Sequence, residues 1–480
     1  MTAEFEFLAQ GPHSATEKYA LRKTRFGRDD VLPLWVADMD FPTPSFVTSA
    51  LHATLAGHPA FGYPILLPEW REAVVDWHRS KHRHPVDPNH LLSVPAVISG
   101  IVAAVEAFTL VGDGVIVMPP IYRPLLTLID DTRRNRLECP LMLDDAAVPT
   151  DREFQPTDDS FDLNTNNHST PQNPQSDPRH LRVERRYRID WSRLETLLPK
   201  AKALLLCSPH NPGGRTWTQT ELCALAERCA DHGVRVIADE IHMDLVHSGG
   251  SVSSSPTEKN PATALSTRPP NGASLSDNVA PSGSRRRFEA FLPIAQDAGC
   301  SALSFTAPGK TFNTAGIGGA YAIVPNDEDR RTLKNYLAPR HPTVPSLLQQ
   351  SVLIAAYRQG HAWTDQLMNH VGRQITRLRK ALAATPIELI EPEATYLAWL
   401  DCRGLGLSPG PGSPNFDPAD HRLRRYFIDE LGLGLSEGVW FSDQGHEGHG
   451  FMRINLATTS ALAEEACLRL ERAGPRRRTP

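Results

Sequence analysis

No apolar run in this sequence reaches the ~18 residues that a membrane-crossing helix needs, so a membrane partner is not expected. The start, MTAEFEFLAQGPHS, has no basic segment leading into an apolar core, and no secretory signal is expected. Charge of one sign is scarce too. A formal net charge of −5 over 480 residues supplies neither a basic field for nucleic acid nor an acidic tail. Paired cysteines are missing: Cys139, Cys207, Cys223, Cys229, Cys300, Cys402 and Cys467 form no CxxC pair and no metal-ligand spacing. They read as buried thiols of a reducing compartment, which points to the cytoplasm and to no metal. What remains is ample material for a core. With 40% hydrophobic and 22% charged residues, the chain suits two or three packed domains.

Short apolar runs alternate with amphipathic stretches, the pattern of a mostly parallel sheet covered by helices. Strands are expected at Val115–Met118, Ala203–Cys207, Val234–Ala238, Ala302–Phe305 and Ala320–Val324. Helices are expected at Pro68–Lys81, Val97–Leu110, Gln219–Asp231 and Leu367–Ala383, the third opened by a capping box of Thr218 and Glu221. Beyond about residue 385 the pattern changes to strand-like Thr395–Asp401 and Phe451–Leu456 around a helix near His421–Leu431, which suggests a smaller α+β domain. Two segments, 144–186 and 248–287, are rich in Pro, Ser, Asn, Asp and Thr and poor in large apolar residues. They cannot bury enough surface to offset chain entropy, so they read as disordered surface insertions.

Three segments end or follow apolar runs: SPHNPGG (Ser208–Gly214), IADEIH (Ile237–His242) and SFTAPGKTFN (Ser304–Asn313). Each alone has a plain explanation, as a turn, a helix start or a surface loop. Together they would bring an amide, a carboxylate and an amine to the carboxyl edge of one sheet, where open α/β sheets bind ligands. Pyridoxal phosphate needs those groups: a lysine for the imine, an acid beside the pyridine nitrogen and a donor to the phenolic oxygen.

The chain resembles the fold-type-I pyridoxal-phosphate superfamily, and within it the cystathionine β-lyase-like (MalY/PatB-type) branch of class I/II aminotransferases. The likeness rests on LPLWVADMDFPTP (Leu32–Pro44), FGYP (Phe61–Pro64), AFTLVGDGVIVMPPIYRP (Ala107–Pro124), CSPHNPGGR (Cys207–Arg215), ADEIHMDL (Ala238–Leu245), APGKTFNTAGIGGAY (Ala307–Tyr321), TYLAWLD (Thr395–Asp401) and FMRINLAT (Phe451–Thr458). WVADMDF is the most branch-specific. The resemblance implies an aspartate-aminotransferase-like α/β fold: an N-terminal arm over 1–45, a large cofactor domain over 46–340 and a small C-terminal domain over 341–480.

It also implies roles. Lys310 would carry the cofactor as a Schiff base and, once released, move the substrate's Cα proton. Asp239 would pair with the pyridine nitrogen, Asn211 would donate to the phenolic oxygen with His242 near it, and Tyr122 would stack on the ring. The phosphate would sit on the amides of Val97 and Ile98, at the start of a helix. Tyr63 resembles the tyrosine that reaches this phosphate from a partner subunit, which implies a homodimer. Arg453 would grip the substrate carboxylate, with Trp35 and Tyr122 beside it. The sequence departs from the family pattern at Ala96–Ser99, where Gly-Val-Val-Pro is usual. It also has Ala307 and Gly309 in place of a hydroxyl, which leaves Thr306 or Ser304 to supply one, and Ala394 where glycine precedes TYL.

The implied reaction is β-elimination from cystathionine or another sulfur-containing amino acid, giving pyruvate, ammonia and a thiol. Two alternatives stand beside it: an aminotransferase on the same scaffold, and a cofactor-binding regulatory protein.

Overall fold

The structure is a computed structural model describing residues 3–9, 11, 14–58, 60–149, 181–247, 287–340, 344–407, 417, 421–442 and 446–474. Its centre is a seven-stranded sheet. In chain order the strands are β1 (Leu91–Val94), β2 (Gly114–Val117), β3 (Asn135–Glu138), β4 (Ala201–Cys207), β5 (Arg235–Asp239), β6 (Ala302–Thr306) and β7 (Ala320–Ile323). Their spatial order is β1-β7-β6-β5-β4-β2-β3. Only β7 runs against its neighbours, so the sheet is mostly parallel, as the alternating pattern predicts. The five strands expected from apolar runs fall within two residues of their predicted ends. The two unforeseen strands, β1 and β3, are the sheet's edges. An edge strand need not be apolar throughout, so neither carries an apolar run to betray it.

Alternation along the inner strands assigns the two faces. Leu204, Leu206, Val236 and Ala238 join the larger hydrophobic cluster. Ala203, Leu205, Ile237, Leu303 and Phe305 join the other, beneath the helix Val97–Phe108. That helix comes so close to β6 that a Cβ on Gly100 would lie 2.8 Å from the Phe305 ring and 3.0 Å from Val94 Cγ2. The capping box of Thr218 and Glu221 forms as expected at Gln219–Asp231. The helix expected at Leu367–Ala383 starts earlier, at His361, because Trp363 and Thr364 extend its buried stripe toward the N-terminus.

A second, antiparallel sheet holds β8 (Glu388–Ile390), β9 (Leu397–Asp401), β10 (Ser436–Glu437) and β11 (Phe451–Asn455), in the order β8-β9-β11-β10. The helix Arg422–Asp429 belongs to this part of the chain, and this is the predicted α+β pattern. The N-terminal segment joins the same region, with Leu32–Pro33 pairing in parallel with Leu433–Gly434.

The insertion expected over 144–186 needs correction at both flanks. Met142–Pro149 and Leu181–Arg188 form one antiparallel ladder. Its base is anchored: Tyr187 is buried and its hydroxyl accepts Trp399 Nε1 at 3.0 Å, while Arg185 Nη1 reaches Glu388 at 2.9 Å and Asp401 at 2.7 Å. Composition averaged over the whole segment hides these few anchored residues. Residues 150–180 and 248–286 lie outside the described residues.

The packing at Gly100 yields a prediction. Gly100→Ala should destabilise the protein by about 1–3 kcal/mol through overpacking against Phe305. A lowered melting temperature checks this, and an unchanged one would show that the helix has room to spare.

Candidate active site

Register places the site. Cys207 pairs with Asp239, and Asp239 with Phe305, so β4, β5 and β6 end level with one another. The three chemistry-bearing segments therefore leave the same sheet edge side by side.

Asp239 is the last residue of β5 and only 4% exposed. Burial pushes its carboxyl up to about 6, against a hydrogen bond that it accepts from the Ile241 amide and the nearby Lys310. Lys310 follows β6, and its Nζ donates to the Ala37 carbonyl at 2.6 Å. Burial and then Arg453 lower the amine to about 8, against Asp38 and Asp239. The lysine's loop is pinned by its neighbours. Thr311 Oγ1 donates to Asp244 at 2.7 Å, and the same carboxylate receives Trp77 Nε1 at 2.9 Å and pairs with His82 Nε2 at 2.7 Å. Asn313, in the left-handed region at φ 53°, bonds the backbone of Met39 and Phe41.

Arg453 lies in β11, flanked by Trp399 of β9 and Ser436 of β10. Its guanidinium is buried and donates to Asn211 Oδ1 at 3.0 Å, the Trp35 carbonyl at 2.8 Å and Ser436 Oγ at 3.2 Å. It also lies 4.8 Å from the Phe441 ring centroid. Among the described residues no carboxylate forms an ion pair with it, and its Nε has no partner. Burial lowers it to about 10, countered by Tyr122 and Tyr396. Tyr122 is half-buried and its phenol is raised, first by burial, with Arg453 and Asp239 both acting on it. His242 sits edge-on to Tyr396 at 6.2 Å, its Nδ1 without a partner. Burial, Lys310 and Arg453 hold its imidazole near 3 and therefore neutral.

The helix Val97–Phe108 starts without a capping side chain: its N-cap is Ala96, and no side chain bonds there. Its first amides, Val97 and Ile98 among them, have no acceptor within the helix and offer an anion site.

The structure thus brings Lys310, Asp239, Asn211, His242, Tyr122 and Arg453 together, and it revises two expectations. Thr306 is fully buried and its hydroxyl donates to the Glu240 carbonyl at 3.2 Å, while Ser304 Oγ donates to Glu240 itself. Neither hydroxyl has its proton free for a phosphate. Trp35 contributes its backbone: the indole lies in a small cluster with Phe26, Val31 and Ile428 and donates to the Lys18 carbonyl at 3.1 Å. Tyr63 is 106% exposed in this single chain, with Phe61 and Ile65 exposed beside it.

Sequence reasoning missed the N-terminal arm's part in the site. The Ala37 carbonyl takes both Lys310 Nζ and the Tyr396 hydroxyl, and Asn455 Nδ2 donates to the carbonyls of Val36 and Asp38 at 2.6 Å each. Lys18, wholly buried, pairs with Asp38 and Asp40. The two acids stand in the quoted WVADMDF stretch, but nothing in the sequence pairs them with Lys18.

The donor set fits pyridoxal phosphate: a lowered amine, a buried carboxylate, an aromatic side chain, an uncapped helix start and a buried guanidinium without a counter-ion. Among the described residues no group of three or more His, Cys, Asp or Glu side chains could hold a metal ion, and no helix is long and apolar enough to cross a membrane.

Buried neutral histidines make an acid-side prediction for the cofactor-free protein. His78, His84, His210 and His242 are all depressed by burial, the last three to about 4, 3 and 3. Their stability contribution is whole above ~6.5 and is lost as pH falls, because only the unfolded chain takes up the protons. Asp239 and Glu240, raised by burial to about 6 and 7, act in the opposite sense, losing stability as pH rises above ~4. The histidines outnumber them, so urea-unfolding stability should fall from pH ~6.5 to ~4.5. His242→Asn should flatten that slope by ~1.4 kcal/mol per pH unit, and an unaltered slope would show that His242 already titrates in the folded protein.

Comparison with known proteins bears on the family and the fold. The family described as aminotransferase class I and II matches residues 175–470. The chain is 29% identical over 452 residues to cystathionine beta-lyase PatB of Bacillus subtilis, covering 93% of this chain and 94% of that protein. It is 28% identical over 451 residues to protein MalY of Escherichia coli, covering 92% and 91%. Among solved structures, cystalysin of Treponema denticola with its pyridoxal 5'-phosphate superposes with a TM-score of 0.75 at 24% identity, over 98% of each chain. The match to residues 175–470 spans more than half of the chain, and the protein belongs to the class I and II aminotransferase family.

Proposed function

We propose that this protein is a pyridoxal-phosphate-dependent carbon–sulfur β-lyase, acting on cystathionine or related cysteine S-conjugates to give pyruvate, ammonia and a thiol. The observation that carries it is the buried guanidinium of Arg453, without a carboxylate partner and in the electrostatic neighbourhood of Lys310. The cations facing Lys310 are Arg453 and Lys18, and Lys18 is taken up by Asp38 and Asp40. Among the described residues one cation is thus left for the α-carboxylate and none for a second carboxylate close to it, which supports elimination over transamination of a short dicarboxylate. Curated relatives named cystathionine beta-lyase, matching over 90% of this chain, support the same choice.

Pyridoxal phosphate, when bound, supplies an electron-withdrawing ring that acidifies the substrate's Cα–H bond. Residues 46–340 are assigned to holding it and 341–480 to the small domain. Asp239 would face the ring nitrogen, where a cation would stabilise its carboxylate. Asn211, His242 and Tyr122 would surround the ring, and the amides of Val97 and Ile98 would take the phosphate. With Thr306 engaged elsewhere, Ser99 in the first turn of that helix stands as the hydroxyl donor. Arg453 fixes the α-carboxylate through paired N–H groups and so sets the angle of the Cα–H bond. Lys310 takes the Cα proton. The electron pair leaves with the thiolate as the Cβ–S bond breaks, and water converts the released three-carbon enamine to pyruvate and ammonia. A homodimer is part of this reading, with Tyr63 and its exposed apolar neighbours at the subunit contact. The free thiols support a cytoplasmic location.

Turnover tests the proposal. Cystathionine should yield pyruvate, ammonia and thiol in equal amounts without added keto acid. Lys310→Ala should abolish this, and Arg453→Ala should cost about 2–4 kcal/mol in kcat/KM. Turnover that required a keto acid and released no thiol would make the protein an aminotransferase. Tyr63→Phe should weaken cofactor retention in a dimer that sediments as such; a fully active monomer would contradict the shared site.

A further inference from the structure

The cluster around Lys18 holds one carboxylate more than its own charge needs. Lys18 is completely buried, and its Nζ lies 3.0 Å from Asp40 Oδ1 and 2.7 Å from Asp38 Oδ1. Asp40 is completely buried as well and also accepts the Tyr19 hydroxyl at 3.3 Å. It is the enclosed counter-ion of Lys18. Asp38 differs: its side chain is 17% exposed, and it directly follows Ala37, whose carbonyl holds Lys310 Nζ at 2.6 Å. Its main chain is fixed too, because the Asp38 carbonyl accepts Asn455 Nδ2 at 2.6 Å and Lys18 Nζ at 3.2 Å.

We propose that Asp38, clamped by the buried ammonium of Lys18, is a positioning residue that keeps a counter-charge beside the Lys310 amine and holds that amine over the reacting carbon. The inference rests on the role given above to Lys310. The charged and titratable groups facing Lys310 are Arg453, Asp38, Asp239, Lys18 and His242. Those facing Asp38 are Lys18, Asp40, Lys310 and the phenols of Tyr19 and Tyr396. In the proposed function Asp239 is committed to the cofactor ring and Arg453 to the substrate carboxylate. Asp38 is then the carboxylate left to stabilise a proton on Lys310 after it leaves Cα. Lys18 does two jobs: it holds the carboxylate in place, and its own charge keeps Asp38 from binding the lysine's proton too tightly. The Ala37 carbonyl, shared with the Tyr396 hydroxyl at 3.1 Å, supplies the direction in which the amine points.

A cluster of this kind could instead only staple the N-terminal arm to the core, and the test separates the two. It reads the midpoint of the pH-dependent cofactor absorbance of the loaded protein, which requires no substrate. Asp38→Asn should lower that midpoint by about one pH unit, because a cationic nitrogen loses a nearby negative charge. It should lower kcat about tenfold while KM stays within about twofold. Asp38→Glu should restore most of both, and Asp40→Asn, which removes a carboxylate from the same cluster without touching the lysine's surroundings, should leave the midpoint in place. If Asp38→Asn does not fold, Asp38→Ser carries the same loss of charge and the same expectation. An unmoved midpoint in the Asp38 variants overturns the proposal whatever happens to kcat, and so does an equal shift in Asp40→Asn. Failure of the parent protein to cleave cystathionine, with the midpoint shifting as described, would sink the lyase reading alone; absence of any pH-dependent cofactor absorbance in the parent would sink this inference as well.

Discussion

Burying the guanidinium of Arg453 without a carboxylate against it is the constraint on which the rest of this site depends. Removing an unpaired cation from water costs several kcal/mol, and hydrogen bonds to neutral groups offset only part of that. The protein supplies them from three distant segments: the Asn211 side chain, the Trp35 carbonyl and the Ser436 hydroxyl. Those three partners fix the position of β11 relative to the large sheet and to the N-terminal arm. In the proposed function the substrate carboxylate would remove the unmet part of that cost.

The same logic extends across the sheet edge. Asp239 is buried with one backbone donor, and Lys310 is half-buried with one backbone acceptor. Loss of water weakens the charged form of each, and in the proposed function each would be satisfied by a cofactor with a basic nitrogen and a carbonyl group. Ion-paired and hydrogen-bonded groups lie just outside, although the Arg215 Nε has no partner of its own. Arg215 bonds Glu221 and Glu393 and ties the turn after β4 to the loop before β9. Asp244 bonds Trp77 and Thr311 and ties the lysine's loop to the helix Pro68–His82. Networks of paired charges surround a few groups left without a counter-charge, which is how a preorganised site is made.

The sequence reveals the fold well where burial on both sides of a strand produces an apolar run, as in Ala201–Cys207, and poorly at Asn135–Glu138, where the strand is an edge and no such run is needed. The ladder Met142–Pro149 with Leu181–Arg188 escapes notice because its anchors, Tyr187 and Arg185, are single residues inside a polar stretch. At the site, residues in short ordered motifs such as Asn211, Asp239 and Lys310 are legible. Roles that depend on the backbone are not. Trp35 acts through its carbonyl with its indole turned away, and Thr306 spends its proton on Glu240. The part of Lys18 is likewise invisible, because its pairing with Asp38 and Asp40, some twenty residues on, exists only once the arm folds back on itself.

Two lysines, the half-buried Lys310 and the fully buried Lys18 of the N-terminal arm, act on one another electrostatically, and the cofactor is assigned to only one of them. Borohydride reduction of the loaded protein, followed by digestion and peptide mass analysis, tests this most directly. A single phosphopyridoxyl group on the peptide containing Lys310 is the expected result. A label on Lys18, on any other lysine, or on none would contradict it.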